Sequence, residues 1–129
     1  DYITECPPNM VLLSPIAQKD MPTYLKEQHI VASFSYSDGY GLSILEAMRF
    51  GIPVIVTESA GISEIIDDGQ NGFLMPKNSS DLKNIIDRLH NTKYRRYVSK
   101  NAYKTAQRLA DNNTWSSLIK YLDINEKNS

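Results

Sequence analysis

The sequence predicts an α/β fold in which an open parallel sheet carries helices on both faces. Short apolar runs rich in β-branched residues, such as IVASFS at residues 30–35 and PVIVT at residues 53–57, alternate with segments of helical periodicity. Strands separated by helices pair in parallel through right-handed crossovers. All six glycines lie between Gly39 and Gly72, which marks one end of the sheet as a place where the backbone turns tightly or approaches a ligand.

Each element follows from a local signal. An apolar run at residues 10–16, interrupted by Pro15, predicts a first strand. Asp20 followed by Pro22 predicts the start of a short helix over residues 21–28. The next predicted elements are a strand at 30–35, a helix at 42–50, a strand at 53–57, one helical turn at 62–66 and a strand at 73–75. The sheet is therefore expected to hold about four strands.

The rest of the chain is predicted to be helical. Asn78 or Ser79 caps a helix whose apolar stripe is formed by Leu82, Ile85, Ile86 and Leu89. A second helix aligns Tyr94, Val98, Ala102, Ala106 and Leu109, and a third begins near Thr114. Four strands are few for such a sheet and the chain opens at Asp1 rather than Met, so we expect it to be a piece of a longer protein.

Composition limits the class of protein. The chain has 129 residues, of which 41% are hydrophobic and 22% charged, with a net charge of -1, the profile of one soluble globular domain. Cys6 is the single cysteine, so no internal disulfide forms, which favours a reducing, cytoplasmic setting. No apolar run reaches the roughly 18 residues of a membrane span.

Charge is distributed unevenly along the chain. Residues 1–82 carry 4 Lys and Arg against 11 Asp and Glu, and residues 83–129 carry 10 against 4. Two interpretations of the basic half stay open: a solvated helical face, or a contact with an anionic membrane in which Tyr94, Tyr97 and Tyr103 lie among the basic residues. No nucleic-acid partner is expected, because no binding motif accompanies the charge.

The segment SYSDGYGLSILEAMRFG at residues 35–51 has the composition of a ligand site. It leaves a predicted strand as a loop with two glycines and enters a helix, whose unpaired N–H groups and positive dipole end suit phosphate oxygens. Glu46 lies one turn into that helix and leans back toward its N-terminus, where its carboxylate can bind the hydroxyls of a ribose. Asp38, on the other side of the loop, can accept hydrogen bonds from a second polyhydroxylated group. A nucleotide sugar combines these features.

Residues 31–74 resemble the C-terminal-domain signature of the retaining GT-B glycosyltransferases, the large family called glycosyl transferases group 1. That signature is often written as Glu, seven residues, Glu. The matching features occur in order and without gaps: LEAM at residues 45–48, Gly51, Pro53, Val54, Gly61, Glu64, Asp68, Gly69, Asn71 and Gly72.

The resemblance implies a partial Rossmann-like domain of the GT-B fold and the transfer of a sugar from a nucleotide diphosphate donor to an acceptor, with retention of anomeric configuration and without a metal ion or other cofactor. By this resemblance, Asp38 would occupy the catalytic acidic position at the donor sugar, and Glu46 would bind the ribose. The resemblance places the donor sugar and diphosphate against Gly39, Tyr40, Gly41, Leu42 and Ser43.

The resemblance also implies a domain organisation. Residues 1–110 would form an incomplete nucleotide-sugar-binding domain, and residues 111–129 a helix that crosses toward a missing N-terminal domain. That domain would bind the acceptor, a glycan or glycolipid as in polysaccharide biosynthesis. The full-length protein would be cytoplasmic, with peripheral contact at the inner face of the membrane left open.

Two departures from the family pattern bear on activity. Asp38 stands where the family usually has Glu, which leaves open a non-catalytic relative that binds sugar nucleotides or is the partner subunit of an active transferase. The family's diphosphate-binding Arg and Lys have no counterpart in Lys19 or Lys26. We therefore expect the 129-residue chain alone to bind donor weakly and to be inactive.

Simpler explanations exist for single residues. Ser43 and Glu46 fit the S-x-x-E capping box, in which Glu46 touches no ligand, and Glu64 fits the first turn of a short helix. A dinucleotide-dependent oxidoreductase is an alternative class of protein, because Gly39, Gly41 and Glu58 mimic the glycines and the terminal acid of its binding motif. The third glycine of that motif, however, would fall at Ile44.

Overall fold

The computed structural model describes residues 8–11, 13, 14, 16–33, 41–58 and 61–111. Within them, β1 (Val31–Ser33), β2 (Val54–Val56) and β3 (Phe73–Leu74) form a parallel sheet in that spatial order. Val31 pairs with Val54 and Ile55 pairs with Phe73, so β2 is the central strand. Pro53 precedes β2 and contributes to the pairing with β1 through its carbonyl, which accepts a 3.0 Å hydrogen bond from the Val31 N–H. At this first position the N–H that proline lacks is not needed by the ladder.

Helices connect and follow the strands. They are α1 (Met21–Leu25), α2 (Gly41–Arg49), α3 (Ser79–Leu89) and α4 (Thr92–Asp111), with short 3₁₀ segments at Gln18–Asp20 and Gly61–Ile65. Helix α2 lies between β1 and β2, as a parallel connection requires. In the described part of the chain, no helix combines the length and apolar character needed to cross a bilayer.

The central strand β2 is covered on both faces, because successive side chains of a strand point to opposite sides. Val54 and Val56 share one core cluster with buried residues of α2 and α4, namely Ile44, Leu45, Ala47, Met48, Ala102, Ala106 and Leu109. Ile55 belongs to a second cluster, with Phe73 of β3, Ile85 and Leu89 of α3 and Val98 of α4. The predicted open parallel sheet with helices on both faces is confirmed.

The end of α2 is fixed by a Schellman motif. Gly51 has φ 73° and donates its N–H to the Met48 carbonyl over 2.9 Å, and Ile52 donates to the Ala47 carbonyl over 2.9 Å. Ile52 is buried in the same cluster as Ala47. This motif turns the chain from α2 directly into β2.

Helices α3 and α4 follow the predicted pattern with one difference. Asn78 caps α3, and its side-chain carbonyl accepts the Asp81 N–H at 2.8 Å. The predicted α4 stripe of Val98, Ala102, Ala106 and Leu109 is buried. Ile86, predicted in the α3 stripe, is 37% exposed, because Ile85 and Leu89 occupy the buried face one helical turn apart and leave Ile86 at its edge.

The predicted strand at residues 10–16 is wrong. The described residues there form no strand, and Met10, Val11 and Leu13 are 49%, 78% and 55% exposed. An apolar run becomes a strand only where a neighbouring strand and a buried face receive it, and the described residues provide neither here. The described sheet accordingly has three strands rather than four. The helix predicted near Thr114, and the crossing segment at 111–129 beyond Asp111, lie outside the described residues.

Candidate active site at the carboxyl edge of the sheet

The carboxyl ends of the three strands meet at one edge of the sheet. There the Thr57 hydroxyl donates a 3.1 Å hydrogen bond to the Ser33 carbonyl, joining the ends of β1 and β2. The Met75 N–H donates to the Val56 carbonyl over 2.6 Å, joining the ends of β2 and β3. In open α/β sheets ligands bind at this edge, and the helix that follows a strand begins at the same edge.

Helix α2 begins at Gly41, so the backbones of Gly41, Leu42 and Ser43 form its first turn. The first four N–H groups of a helix have no partner within the helix, and its dipole places about half a positive charge there. This end of α2 can therefore bind an anion. Of the other predicted site residues, Asp38, Gly39 and Tyr40 lie outside the described residues.

Glu46 is the predicted site residue with the most informative environment. Its side chain is half-buried, and its Oε2 atom is buried without a hydrogen-bond partner in the described structure. Burial raises the pKa of the Glu46 carboxyl from its ordinary value of 4.5, and the positive charge of Arg49 partly offsets that rise. A buried carboxylate oxygen without a donor is energetically unfavourable, and ligand hydroxyls would satisfy it.

The capping-box interpretation of Ser43 and Glu46 is wrong. A capping box requires Ser43 to be the residue before the first helical turn, but α2 already begins at Gly41. The half-buried Ser43 instead lies three residues before Glu46, on the same face of the helix.

The environment of Ile44 argues against the oxidoreductase alternative. Ile44 is 1% exposed and packs in the core at the position where a dinucleotide fold places its third glycine. A glycine is used there so that helix and strand can approach closely, whereas here a large side chain fills the space. Glu58 is exposed just after β2.

The turns around Glu64 and before β3 have mainly structural contacts. Glu64 is exposed in the first turn of the 3₁₀ segment Gly61–Ile65, as its simpler explanation predicts. Gly69 has φ 84°, and Asp68 accepts the Leu74 N–H at 2.9 Å, so both act in the turn before β3 as predicted. In the described part of the chain, no three His, Cys, Asp or Glu side chains cluster as metal ligands would.

Sequence reasoning missed an open groove at the same edge of the sheet. Its lining residues include Glu58 after β2, Leu74 to Lys77 at and after the end of β3, and Arg88 of α3. Lys77 and Arg88 are the cations among the lining residues, which also include the carboxylates of Glu58, Asp68, Asp81 and Asp87. Lys77 could have been predicted at this edge from the sequence, because it lies three residues beyond β3. Arg88 could not, because it reaches the groove only through the packing of α3.

Comparison with known proteins identifies the family of this α/β domain. The sequence profile described as Glycosyl transferases group 1 matches residues 4–105. The chain belongs to this family, and the resemblance found in residues 31–74 is confirmed.

Individual relatives agree. A glycosyltransferase of Methanocaldococcus jannaschii is 29% identical over 93 residues, which cover 70% of this chain and 26% of the relative. The crystal structure of the C-terminal domain of the group 1 glycosyl transferase LpcC from Francisella tularensis superposes with a TM-score of 0.63 at 31% identity, covering 74% of this chain and 50% of that one.

A third relative was crystallised with a ligand. HepE from Anabaena, in complex with UDP-glucose, superposes with a TM-score of 0.62 at 28% identity, covering 79% of this chain and 30% of that one. The chain thus spans about a quarter of the length of the archaeal relative and under a third of HepE.

Proposed function

We propose that this chain is the donor-binding part of a glycosyltransferase that moves a sugar from a nucleotide diphosphate donor to an acceptor glycan or glycolipid, with retention of anomeric configuration. Family membership and the similarity to a structure holding UDP-glucose support the proposal. The observation that carries it is the Oε2 atom of Glu46, which is buried and has no hydrogen-bond partner among the described residues. Glu46 lies within the second turn of a helix that begins at the ligand-binding edge of the sheet.

The roles of the residues follow from their chemistry. The N–H groups of Gly41, Leu42 and Ser43 would bind the diphosphate, on which negative charge grows as the glycosidic bond breaks. Glu46 would accept hydrogen bonds from the ribose hydroxyls, which would supply donors for an Oε2 atom that has none within the described part of the chain. Gly39 and Tyr40 would complete the diphosphate loop, with Asp38 at the donor sugar.

We further propose that the 129-residue chain binds donor weakly on its own and does not catalyse transfer. A diphosphate carries about two negative charges, and one helix end offsets only about half of one. The cations would come from a segment of the complete protein outside these 129 residues. The acceptor site would come from an N-terminal domain, toward which residues 111–129 would cross. The transfer would need no metal ion, so a chelator should leave its rate unchanged. We place the protein in the cytoplasm, because Cys6 is the single cysteine of the 129 residues and allows no internal disulfide among them.

Calorimetric titration of the complete protein with a panel of nucleotide sugars tests the donor role. Glu46→Gln keeps the shape of the side chain but removes its charge, and we expect it to weaken donor binding about tenfold or more, since a hydrogen bond to a charged group contributes about 1.5–3 kcal/mol. Glu27→Gln, at an exposed position outside the site, is the matched control and should change affinity less than about twofold. Equal donor affinity in wild type and Glu46→Gln would overturn the assignment.

Asp38 gives a specific reason to consider a second candidate, a non-catalytic sugar-nucleotide-binding relative or partner subunit. The family usually has Glu at this position, and Asp is one methylene shorter. Product formation or donor hydrolysis by the complete protein would exclude this candidate, and the anomeric configuration of the product, read by NMR, tests retention. If the wild type is inactive and Asp38→Glu creates turnover, the non-catalytic candidate is correct.

A further inference from the structure

One face of α4 exposes a continuous basic and aromatic surface. On a helical wheel these residues cover the arc opposite the buried stripe of α4. Tyr97 and Tyr103 are 49% and 47% exposed, and the basic residues around them are also exposed. We call this surface the outer face of α4: Lys93, Arg96, Tyr97, Lys100, Tyr103, Lys104 and Arg108.

The charge of this face is of one sign. Helix α4 contains six Lys and Arg residues, and its single acidic residue, Asp111, is its last. No ion pair involving these cations occurs among the described residues, whereas a merely solvated helix face typically mixes charges that pair at i and i+4. A helix of 20 residues is about 30 Å long, so the face is an extended basic strip.

A shallow groove opens at the N-terminal end of the strip. It is lined by Arg88, Asn91, Lys93, Tyr94 and Tyr97. The rings of Tyr94 and Tyr97 are stacked with centroids 6.2 Å apart, and the Arg88 guanidinium lies 4.8 Å from the centre of the Tyr94 ring. The groove therefore combines an aromatic wall with cations at its rim, a combination that suits a phosphate joined to an apolar group.

We propose that the outer face of α4 docks on a bilayer surface that contains anionic lipid. Lys and Arg attract the negative charge of such a surface, and tyrosine favours the interface because its ring is apolar and its hydroxyl polar. The tyrosines favour a lipid surface over double-stranded nucleic acid, whose phosphate backbone would need the cations alone. The face shares no residue with the donor site proposed above.

Vesicle sedimentation of the 129-residue chain tests this proposal. We expect binding to vesicles of phosphatidylcholine mixed with phosphatidylglycerol, little binding to phosphatidylcholine alone, and weaker binding as salt is raised. The double variant K100Q/K104Q should lower the affinity about twenty- to thirtyfold, since each removed charge changes it about fivefold. The control K19Q/K83Q removes two exposed lysines outside α4 and should change it less than about threefold.

A charge-neutral variant separates lipid from other anions. Tyr103→Ser keeps every charge and should weaken vesicle binding severalfold, while binding to a fluorescent double-stranded oligonucleotide, whose bases are not free to stack on tyrosine, would not change. Circular dichroism melting checks that each variant keeps its fold. The proposal is overturned if the anionic vesicles do not bind, if K100Q/K104Q binds them as the control does, or if the oligonucleotide binds and the vesicles do not.

Discussion

The side-chain amide of Asn71 donates a 3.0 Å hydrogen bond to the hydroxyl of Thr105, 34 positions later, and both side chains are buried. The same amide donates to the Ile65 carbonyl over 3.0 Å, and its oxygen accepts the Asp67 N–H at 2.7 Å. Asn101 donates to the Gln70 carbonyl over 3.1 Å, which adds a second bond between α4 and the turn. Through these bonds α4 fixes the turn that sets the start of β3.

Replacing Asn71 by Ala should lower the free energy of unfolding by about 2–4 kcal/mol, because three hydrogen bonds of a buried side chain are lost and their partners are left unsatisfied. Urea denaturation measures this. Asn84→Ala on the exposed side of α3 is the matched control and should stay within about 0.5 kcal/mol of the wild type. A loss of the same size in both variants would mean that the Asn71 contacts contribute nothing.

The bond between Asn71 and Thr105 should appear as coupling in a double-mutant cycle with Thr105→Val. We expect a coupling free energy of about 0.5–1.5 kcal/mol, since the second substitution removes nothing further from that bond. Strict additivity of the two single losses would contradict the contact.

Gly72 and Gly69 are expected to resist substitution for different reasons. A Cβ at Gly72 would lie 3.0 Å from Val54 Cγ2, 3.2 Å from Ile66 Cδ1 and 3.3 Å from the Val54 carbonyl. At Gly69 it would lie 3.7 Å from the Tyr94 hydroxyl, but the backbone there has φ 84°. Space is therefore limiting at Gly72 and backbone conformation at Gly69.

Substitution by Ala and by Asn should separate these causes. Gly72→Ala should cost about 1–3 kcal/mol, and Gly72→Asn more, because a larger side chain meets the same atoms. Gly69→Ala should cost about 1–2 kcal/mol, and Gly69→Asn less, because Asn tolerates the left-handed region. Thermal unfolding measures all four, and the same order of Ala and Asn at both positions would contradict the explanation.

Tyr94→Phe isolates the contribution of one hydroxyl to the turn. This group donates to the Gly69 carbonyl over 2.7 Å and accepts from Arg88 over 2.8 Å. We expect a loss of about 1–2 kcal/mol in unfolding free energy. Tyr103→Phe is the control, because Tyr103 is 47% exposed and its hydroxyl can bond to water in either state. An equal response of the two positions would show that the Gly69 bond adds no stability.

Local sequence signals predict most of the helices and strands of the fold. Helix α2 was predicted at residues 42–50 and occurs at Gly41–Arg49, because the apolar periodicity sets its buried face and Gly51 sets its end. β2 was predicted at 53–57 and occurs at Val54–Val56. The strand predicted at 10–16 failed, since an apolar run does not reveal whether a neighbouring strand exists to pair with it.

The site was predictable in part. The family motif predicts Glu46 as a site residue. A motif does not show that the carboxylate oxygen is buried with no donor among the residues that the structure describes, because this depends on packing around α2. Likewise Asn71 resembled an ordinary turn residue, and only the tertiary fold brings Thr105 to it. Both cases depend on contacts between residues or elements that the local sequence does not connect.

Glu46 should make the stability of the chain depend on pH in an unusual direction. Burial raises the pKa of its carboxyl in the folded state above the ordinary 4.5, so the folded protein favours the protonated form. Above the raised pKa the folded state must carry an unfavourable buried charge. As pH falls through that pKa toward 4.5 the penalty disappears, so the contribution of Glu46 to stability rises on acidification.

The variant Glu46→Gln removes this charge at every pH. We therefore expect it to be at least as stable as the wild type at neutral pH, with an advantage that shrinks as pH is lowered toward 4.5. Urea denaturation at a series of pH values gives the difference directly, and subtracting the wild type removes the effects of other carboxyls. Glu27→Gln, exposed outside α2, should give a difference near zero at all pH values. If Glu46→Gln is instead less stable at neutral pH, the carboxylate has stabilising partners in the folded chain. Its buried oxygen would then not need a ligand to supply hydrogen-bond donors.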